Sequence, residues 1–303
     1  MRTAAVLGAG TIGLSWAALF ASRGLQVRVQ DPRSDLQEQL DGALAQLAPL
    51  LGEGLGDRVS VAADLEAAVD GVDVVQENGP ERLDLKQELW ARVEAAAPAD
   101  ALLLSSTSGL MPSDMAARMQ EPGRLLVGPP FNPPHVVPLV EVVPGARTPP
   151  EAAQAAADFY RSLGKVPVVL RKEVGGFVAN RLQSALFRES VHLVLQGVVT
   201  PEELDRVVTE SVGVRWATAG PFESYHLGGG PGGLRHLLEH LGPGMARRWK
   251  DLGQPELTPE LVDRVSTDTE ARFADAPYDV RTAERDRVQL AVLVAREQAR
   301  RSQ

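Results

Sequence analysis

The chain contains no cysteine. Disulfide bonds, thiolate metal sites and a cysteine nucleophile are therefore excluded. A long hydrophobic run is also missing, because the apolar start MRTAAVLGAG is broken by glycines before it reaches the length of a signal-peptide core or a membrane span. We expect a cytoplasmic protein that makes no use of a membrane.

Basic charge is scarce as well, since 31 Lys and Arg residues face 40 Asp and Glu residues, for a formal net charge of -9. This balance disfavours a general affinity for nucleic acid or for an anionic membrane. The 44% apolar and 23% charged residues are typical of an ordinary globular protein. With 303 residues the chain is long enough for two domains.

Up to Leu170, short apolar runs alternate with helix-like stretches. This alternation predicts an α/β fold with a doubly wound, mostly parallel sheet. The predicted strands are Ala4–Leu7, Val27–Gln30, Val59–Val61, Val72–Gln76, Leu102–Leu104, Leu125–Gly128, Leu139–Val143 and Val166–Leu170. The predicted helices between them are Ile12–Ser22, Asp35–Ala48, Leu83–Ala97 and Pro150–Leu163.

Past Gly176 the apolar spacing becomes helical, in the segments Phe177–Val194, Pro201–Val208, Leu234–Leu241, Pro259–Phe273 and Thr282–Ala299. We predict an α/β domain over residues 1–173 and an all-α domain over residues 174–303, divided where charge and two glycines follow the last strand. The run Gly228–Gly233 is predicted to be a loop that either approaches a ligand closely or simply links two helices.

The segment Gly8-Ala9-Gly10-Thr11-Ile12-Gly13 fits the dinucleotide fingerprint G-x-G-x-x-G. Its first glycine permits a tight turn, the second admits a diphosphate, and the third packs helix on strand. The fingerprint follows a predicted strand and opens a predicted helix, so free N–H groups and the positive helix end would face the diphosphate. This context predicts a Rossmann-type domain over the first part of the chain.

Asp31 follows the second strand, eighteen residues after Gly13. A carboxylate there suits the hydrogen bonds of an adenosine ribose, and the structural alternative is an Asp that caps the turn before Pro32. Asp31 would repel a 2′-phosphate, which favours NAD over NADP, although Arg33 opposes that preference. We therefore predict NAD as the cofactor.

Four later motifs, in order, strongly resemble the 3-hydroxyacyl-CoA dehydrogenase superfamily. They are Ser105-Ser106-Thr107-Ser108-Gly109-Leu110, Pro130-Phe131-Asn132-Pro133-Pro134, Pro138-Leu139-Val140-Glu141-Val142-Val143 and Gly176-Phe177-Val178-Ala179-Asn180-Arg181. Further motifs resemble the carnitine and gulonate 3-dehydrogenase branch, namely Arg215-Trp216-Ala217, Gly220-Pro221-Phe222, Tyr225-His226-Leu227-Gly228-Gly229 and Pro255-Glu256-Leu257-Thr258-Pro259-Glu260-Leu261. The resemblance covers nearly the whole chain.

This resemblance implies an NAD-dependent oxidoreductase acting on a 3-hydroxyacid or its CoA thioester, and a homodimer formed through the helical domain. The implied catalytic residues are Glu141, Ser108 and Asn180. The residues implied to lie along the cofactor, beside the glycine fingerprint and Asp31, are Asn78, Glu81, Lys86, Ser106 and Asn132. Structural roles for the catalytic three are a turn cap for Ser108, a helix-start bond for Asn180 and a surface ion pair for Glu141.

The family's histidine base precedes the proline of the P-F-N-P motif and stands twelve residues before the glutamate, where this chain has Pro129. Proline has no titratable group and no N–H, so it neither takes a proton nor polarises a carbonyl. We expect Glu141 itself to act as the general base in place of the histidine, and His135 and His226 are the alternatives. The competing hypothesis is a redox-silent or repurposed relative, a lyase, cyclase or binding protein, that keeps the pocket.

Trp216, Phe222 and Tyr225 fall within ten residues of each other in a chain with 4 Trp and 3 Tyr. An aromatic enclosure would suit a quaternary ammonium group, as in carnitine, whereas the alternative is ordinary helix packing. Arg215 would suit a substrate carboxylate. His236 and His240 have the spacing of a zinc pair, but a solvated helix face is the better interpretation, and we predict no metal.

Overall fold

The computed structural model describes residues 1–302. The chain divides into two compact units, Met1–Arg181 and the residues from Leu182 onward. The boundary expected at residue 173 lies in the segment before the helix in which this division falls.

The first unit contains an eight-stranded sheet in the order β3-β2-β1-β4-β5-β6-β7-β8. The strands are β1 (Thr3–Leu7), β2 (Gln26–Gln30), β3 (Val59–Val61), β4 (Val74–Glu77), β5 (Leu102–Ser105), β6 (Leu125–Val127), β7 (Leu139–Pro144) and β8 (Val166–Val169). All neighbouring pairs are parallel except β6 and β7. The predicted mostly parallel sheet is confirmed, and its order reverses between β1 and β4, where such sheets bind ligands.

Helices cover both faces of this sheet. They are α1 (Thr11–Ser22), α2 (Leu36–Leu51), α3 (Leu65–Val69), α4 (Leu83–Ala96), α5 (Pro112–Met115) and α6 (Pro150–Ser162). One core contains Trp16, Phe20 and Tyr160 from α1 and α6, and the other contains Trp90 and Met115 from α4 and α5. Burial on both faces explains why the central strands are continuous apolar runs without polar alternation.

The second unit is helical, as predicted. Its helices are α7 (Ala179–Leu195, which begins in the first unit), α8 (Pro201–Thr209), α9 (Val212–Thr218), α10 (Pro221–Gly228), α11 (Gly233–Asp251), α12 (Pro259–Phe273) and α13 (Tyr278–Arg301). Two differences from the sequence prediction stand out. The short helices α9 and α10 were not predicted, and α11 continues through Pro243 instead of ending near Leu241.

The glycine-rich run is shorter as a loop than we predicted. Gly228 ends α10, Gly230–Gly232 forms a single 3-10 turn, and Gly233 begins α11. Positive φ values of 60° at Gly230 and 63° at Gly233 make this sharp reversal possible, since glycine adopts them without steric cost. The run therefore makes a tight connection between two helices.

Few apolar side chains of the second unit are buried. Among the described residues from 182 onward, the buried hydrophobic side chains are Val191, Val194, Leu237 and Leu261. Leu182, Phe187 and Trp249 are instead 62%, 60% and 66% exposed. None of the helices in the described part of the chain combines the length and apolar character needed to cross a bilayer.

Candidate functional site

The glycine fingerprint forms the turn between β1 and α1. A Cβ atom added at Gly13 would lie 1.9 Å from Gly8 O, and one added at Gly8 would lie 2.9 Å from Asn78 C, so both positions exclude a side chain. A Cβ at Gly10 would meet nothing within 4 Å. The space over Gly10 is open at the point where the fingerprint predicts a diphosphate.

The start of α1 carries no competing negative charge. No side chain caps this helix end, and its first turn, with Thr11 and Ile12, contains no acidic residue. The free N–H groups and the positive helix end therefore suit an anionic diphosphate.

Asp31 lies directly after β2 and bonds to the fingerprint turn. Its Oδ2 accepts a 2.7 Å hydrogen bond from Ala9 N, and its Oδ1 accepts a 3.0 Å bond from Arg33 N. Each carboxylate oxygen can accept a further bond, so these contacts leave capacity for ribose hydroxyls. The structure thus brings Asp31 and the glycines together, as the sequence suggested.

Asn78 and Ser106 lie side by side at the carboxyl ends of β4 and β5. Ser106 Oγ donates a 2.7 Å bond to Asn78 Oδ1, and it accepts bonds from Trp16 Nε1 (3.1 Å) and Gln76 Nε2 (2.9 Å). A hydroxyl has one proton, so the Ser106 proton is already used inside the protein. In this geometry Ser106 orients Asn78, and any contact between Ser106 and the cofactor stays a prediction.

Gln76 in turn is held by a buried phenol. Tyr160 OH donates a 2.8 Å bond to Gln76 Oε1, and burial raises the pKa of Tyr160 so that the proton stays in place. Neither Gln76 nor Tyr160 is among the residues that the sequence predicts for the site. A glutamine inside a buried strand run was the available signal, since such a group needs partners.

Lys86 is buried under the turn that follows β4. Its side chain is 2% exposed and its Nζ lies 2.5 Å from Glu77 Oε1, whose Oε2 accepts from Ser105 Oγ at 2.6 Å. Glu77 Oε1 also accepts from Gly79 N at 2.6 Å. The pair therefore fixes the backbone that packs against Gly8, and direct contact of Lys86 with a cofactor stays a prediction.

Glu81 organises the loop after β5. Its Oε1 accepts bonds from Thr107 Oγ1 (2.5 Å), Ser108 N (3.2 Å) and Gly109 N (3.0 Å). The Ser108 side chain above this loop is exposed, as is Asn132 beyond β6. Glu81 therefore sets the position of Ser108, and contact of Ser108 with a substrate stays a prediction.

Glu141 on β7 is 3% exposed and lies across from Pro129. The register follows from the neighbouring antiparallel pairs, Val127 with Val143 and Pro130 with Val140, which place Pro129 opposite Glu141. Directly opposite residues of antiparallel strands direct their side chains to the same face. A histidine at position 129 would therefore stand beside this carboxylate.

One oxygen of Glu141 is used and the other is not. Oε1 accepts bonds from Val178 N (2.9 Å) and Ala179 N (3.1 Å). Oε2 is buried and has no hydrogen-bond partner among the described residues. This oxygen belongs to the residue that lies opposite position 129, where the family has its histidine.

The turn that presents those two amides is unusual. Phe177 has a φ of 49° and a fully buried ring, and it follows Gly176, which has a φ of 71°. A left-handed phenylalanine is strained, and such strain concentrates at functional sites. Just beyond this turn, Asn180 Nδ2 donates a 3.3 Å bond to Ser108 O, so Glu141, Ser108 and Asn180 belong to one connected assembly.

His135 lies against α1, where its Nδ1 is 2.8 Å from Ser15 Oγ. The carbonyls on either side of it, Pro134 O and Val137 O, accept bonds from Lys165 Nζ. Lys165 is 6% exposed, and burial lowers its pKa to about 8. Lys165 therefore anchors the segment that leads from Pro129 to β7.

The remaining candidates lie in the second unit. His226 Nδ1 accepts a 3.2 Å bond from Leu234 N and so supports the turn between α10 and α11. Trp216, Phe222 and Tyr225 are exposed, and no ring contact joins them within residues 1–302. The rings of His236 and His240 are tilted by 47° with their centroids 4.1 Å apart, and the described residues contain no cluster of three or more metal-ligating side chains.

The parallel sheet, the open glycine turn and Asp31 define a dinucleotide-binding Rossmann protein. Residues 3–174 match the family model "3-hydroxyacyl-CoA dehydrogenase, NAD binding domain", and residues 176–275 match "3-hydroxyacyl-CoA dehydrogenase, C-terminal domain". The chain belongs to the 3-hydroxyacyl-CoA dehydrogenase family, and its cofactor is NAD.

Curated relatives are similar along the full chain. An L-carnitine dehydrogenase of Streptomyces griseus is 45% identical over 97% of this chain and 90% of its own length. Another from Nocardiopsis dassonvillei is 43% identical over 100% of this chain and 94% of its own. These matches confirm the resemblance to the carnitine dehydrogenase branch.

Solved structures of dehydrogenases are also similar to this chain. A 5-formyl-3-hydroxy-2-methylpyridine 4-carboxylic acid 5-dehydrogenase, described as an NAD+-dependent dismutase, is 30% identical with a TM-score of 0.82 and covers 98% of this chain and 99% of its own. The 3-hydroxybutyryl-CoA dehydrogenase of Escherichia coli K12 is 30% identical with a TM-score of 0.63, over 68% of this chain and 46% of its own.

Proposed function

We propose that this chain is an NAD-dependent oxidoreductase acting on the 3-hydroxy group of a small 3-hydroxyacid, with Glu141 in place of the missing histidine. The observation that carries the proposal is the buried Glu141 carboxylate, whose Oε2 has no partner among the described residues while Ser108 and Asn180 lie in the same assembly. This carboxylate oxygen retains its full capacity to accept a hydrogen bond.

In the oxidation, bound NAD supplies the hydride acceptor. Glu141 takes the hydroxyl proton at Oε2, directly or through one water. Ser108 and Asn180 orient the substrate oxygen, and the bonds from Val178 N and Ala179 N to Oε1 hold the carboxylate in place. The residues thus divide into one proton acceptor and two groups that position the substrate.

A carnitine-like substrate is the class we favour. The support is the set of relatives named L-carnitine dehydrogenase, at 42% to 45% identity over nearly the whole chain. Gulonate-like acids and 3-hydroxyacyl-CoA thioesters are the other substrates to test.

The second candidate is a relative that has lost redox chemistry. Burial of Glu141 Oε2 behind the protein's own atoms favours it, because a proton acceptor must be within reach of the substrate. The two candidate functions differ in whether the protein forms NADH from a 3-hydroxyacid.

The test is NADH formation with carnitine, gulonate and 3-hydroxybutyryl-CoA by the natural protein, by Glu141→Gln and by Glu151→Gln. Glu151 is an exposed residue in the first turn of α6 and serves as the matched control. We expect Glu141→Gln to lower kcat by about 100- to 10,000-fold, the usual contribution of a general base. Turnover unaffected by Glu141→Gln would remove Glu141 from this role, and no turnover with any substrate would favour the redox-silent candidate.

We also propose that two copies of the chain associate through the second unit. Four buried hydrophobic side chains among its described residues make a small core, whereas large side chains such as Leu182, Phe187 and Trp249 remain exposed. We infer that a second copy of the chain covers some of these exposed apolar side chains, because a small core leaves apolar surface available for a subunit interface.

A further inference from the structure

Arg33 lies at the end of the site where an adenosine ribose would bind. Its backbone N donates to Asp31 Oδ1 at 3.0 Å, and its Nη1 is 3.5 Å from Ala9 O in the fingerprint turn. An arginine near this position is how such folds accommodate the 2′-phosphate of NADP. By itself, Arg33 would weaken the preference for NAD that Asp31 creates.

Asp35 engages this guanidinium through both of its oxygens. Arg33 Nε lies 2.7 Å from Asp35 Oδ1, and Arg33 Nη2 lies 3.2 Å from Oδ2. Gln39 Nε2, one helical turn further along α2, donates to the same Oδ2 at 3.1 Å and steadies the carboxylate. A two-point pair of this kind fixes the plane of an arginine as well as its charge.

The two groups of the pair carry opposite charges. The bond from Arg33 lowers the pKa of Asp35, and the bond to Asp35 raises the pKa of Arg33. The carboxylate of Asp35 thus offsets the positive charge of Arg33 beside Asp31.

We propose that Asp35 is a specificity-determining residue: by holding the Arg33 guanidinium, it prevents that group from binding a 2′-phosphate and so makes the site selective for NAD over NADP. Asp31 and Asp35 act together, since the first repels the extra phosphate and the second occupies the cation that would receive it. The inference depends on NAD binding alone and not on the proposed reaction.

The experiment measures Kd values of the purified chain for NADH and NADPH by nucleotide fluorescence, without substrate. The variants are Asp35→Asn, Arg33→Gln and the double change. Asn is as good as Asp at the helix N-cap that residue 35 occupies, so the fold should persist, as a melting curve will check. Glu66→Gln is the control, because Glu66 forms a comparable exposed pair with Arg92.

We expect Asp35→Asn to lower the NADPH-to-NADH ratio of Kd values by about tenfold, the size of one charge-assisted hydrogen bond. Arg33→Gln added to Asp35→Asn should cancel the gain, and Glu66→Gln should leave the ratio unchanged. An unchanged ratio in a folded Asp35→Asn protein would overturn the proposal. So would an equal gain with Arg33→Gln present, because removal of a negative charge alone would then explain it. A loss of turnover in the substrate test would leave these Kd values untouched, which keeps the two failures separate.

Discussion

At the level of single residues, the proposed chemistry depends on Glu141 and on Pro129, which stands where the family has its histidine. The antiparallel register puts them opposite each other, and Glu141 retains one oxygen without a partner among the described residues. The other oxygen is committed to the turn around Phe177. The site therefore keeps its carboxylate in position although the family's histidine is absent.

The change Pro129→His should rebuild the family's pair of histidine and glutamate. We expect kcat for the preferred 3-hydroxyacid to rise by about ten- to a hundredfold, since a histidine base is better matched to neutral pH than a carboxylate. Steady-state NADH formation measures it, with Pro129→Ala as the control that alters the backbone without adding a base. Activity found only in the histidine variant, with none in the natural protein, would contradict a catalytic role for Glu141.

The sequence predicted the residues of the site better than their partners. The glycine fingerprint, Asp31, Glu141 and Pro129 are visible because their types and spacing carry the chemistry. Residue spacing does not show that Lys86 is buried against Glu77, or that Ser106 donates its proton to Asn78, because these bonds depend on how the chain packs in three dimensions. The sequence also gives no sign of the left-handed backbone at Phe177, because a positive φ is rare for a bulky residue.

At the level of secondary-structure elements, the turn between β1 and α1 contains one glycine that folding requires and another that we expect cofactor binding to require. Gly13→Ala forces a Cβ to 1.9 Å from Gly8 O, so we expect loss of the folded protein.

Gly10→Ala meets no atom within 4 Å and should fold, but its methyl group would enter the space of the diphosphate. We expect its Kd for NADH to rise by about tenfold or more with a melting temperature close to that of the natural protein.

Gly42→Ala is the control for these glycine variants. It lies within α2 with nothing within 4 Å of its added Cβ, and alanine should stabilise this helix by about 0.5–1 kcal/mol. Normal NADH affinity in Gly10→Ala would contradict the assignment of the diphosphate to this turn.

The segment between Pro129 and β7 depends on Lys165. Burial lowers the pKa of this amine to about 8, whereas an unfolded lysine has a value near 10.4. The folded state therefore binds fewer protons than the unfolded state between these two values, so this residue's contribution to stability grows as the pH rises through them.

Relative to Lys165→Met, we expect the free energy of unfolding of the natural protein to increase by about 2 kcal/mol between pH 7.5 and pH 9.5. Urea unfolding of both proteins at the two pH values gives this difference and cancels the titration of other groups. A difference independent of pH would show that Lys165 has an ordinary pKa.

Element boundaries were predicted well in the first unit and less well in the second. Buried parallel strands leave clear patterns of apolar residues, and the predicted strands overlap all eight observed ones. Helices α9 and α10 are short and exposed, so they lack the apolar periodicity on which prediction depends. The continuation of α11 through Pro243 opposes the usual rule that proline ends a helix.

At the scale of the whole molecule, the exposed side chains of the second unit should form a subunit interface. We expect the natural protein to sediment at twice the mass of the chain, and the double variant Leu182→Glu/Phe187→Glu to sediment as a monomer, because buried charge at an interface is costly. Leu50→Glu in α2 is the control, since Leu50 is 50% exposed in the first unit. A natural protein that stays monomeric at micromolar concentration would contradict the proposed association.

The proposed oxidation moves the hydride at C3 of the substrate to NAD, and isotopic labelling follows that transfer. The natural protein would be incubated with NAD and carnitine carrying deuterium at C3, and mass spectrometry would measure the mass of the reduced nucleotide. We expect one deuterium in every reduced nucleotide formed, because the deuteride from C3 passes to NAD while the hydroxyl proton goes to the protein. Reduced nucleotide without deuterium, or none formed by a protein that binds NAD, would contradict it.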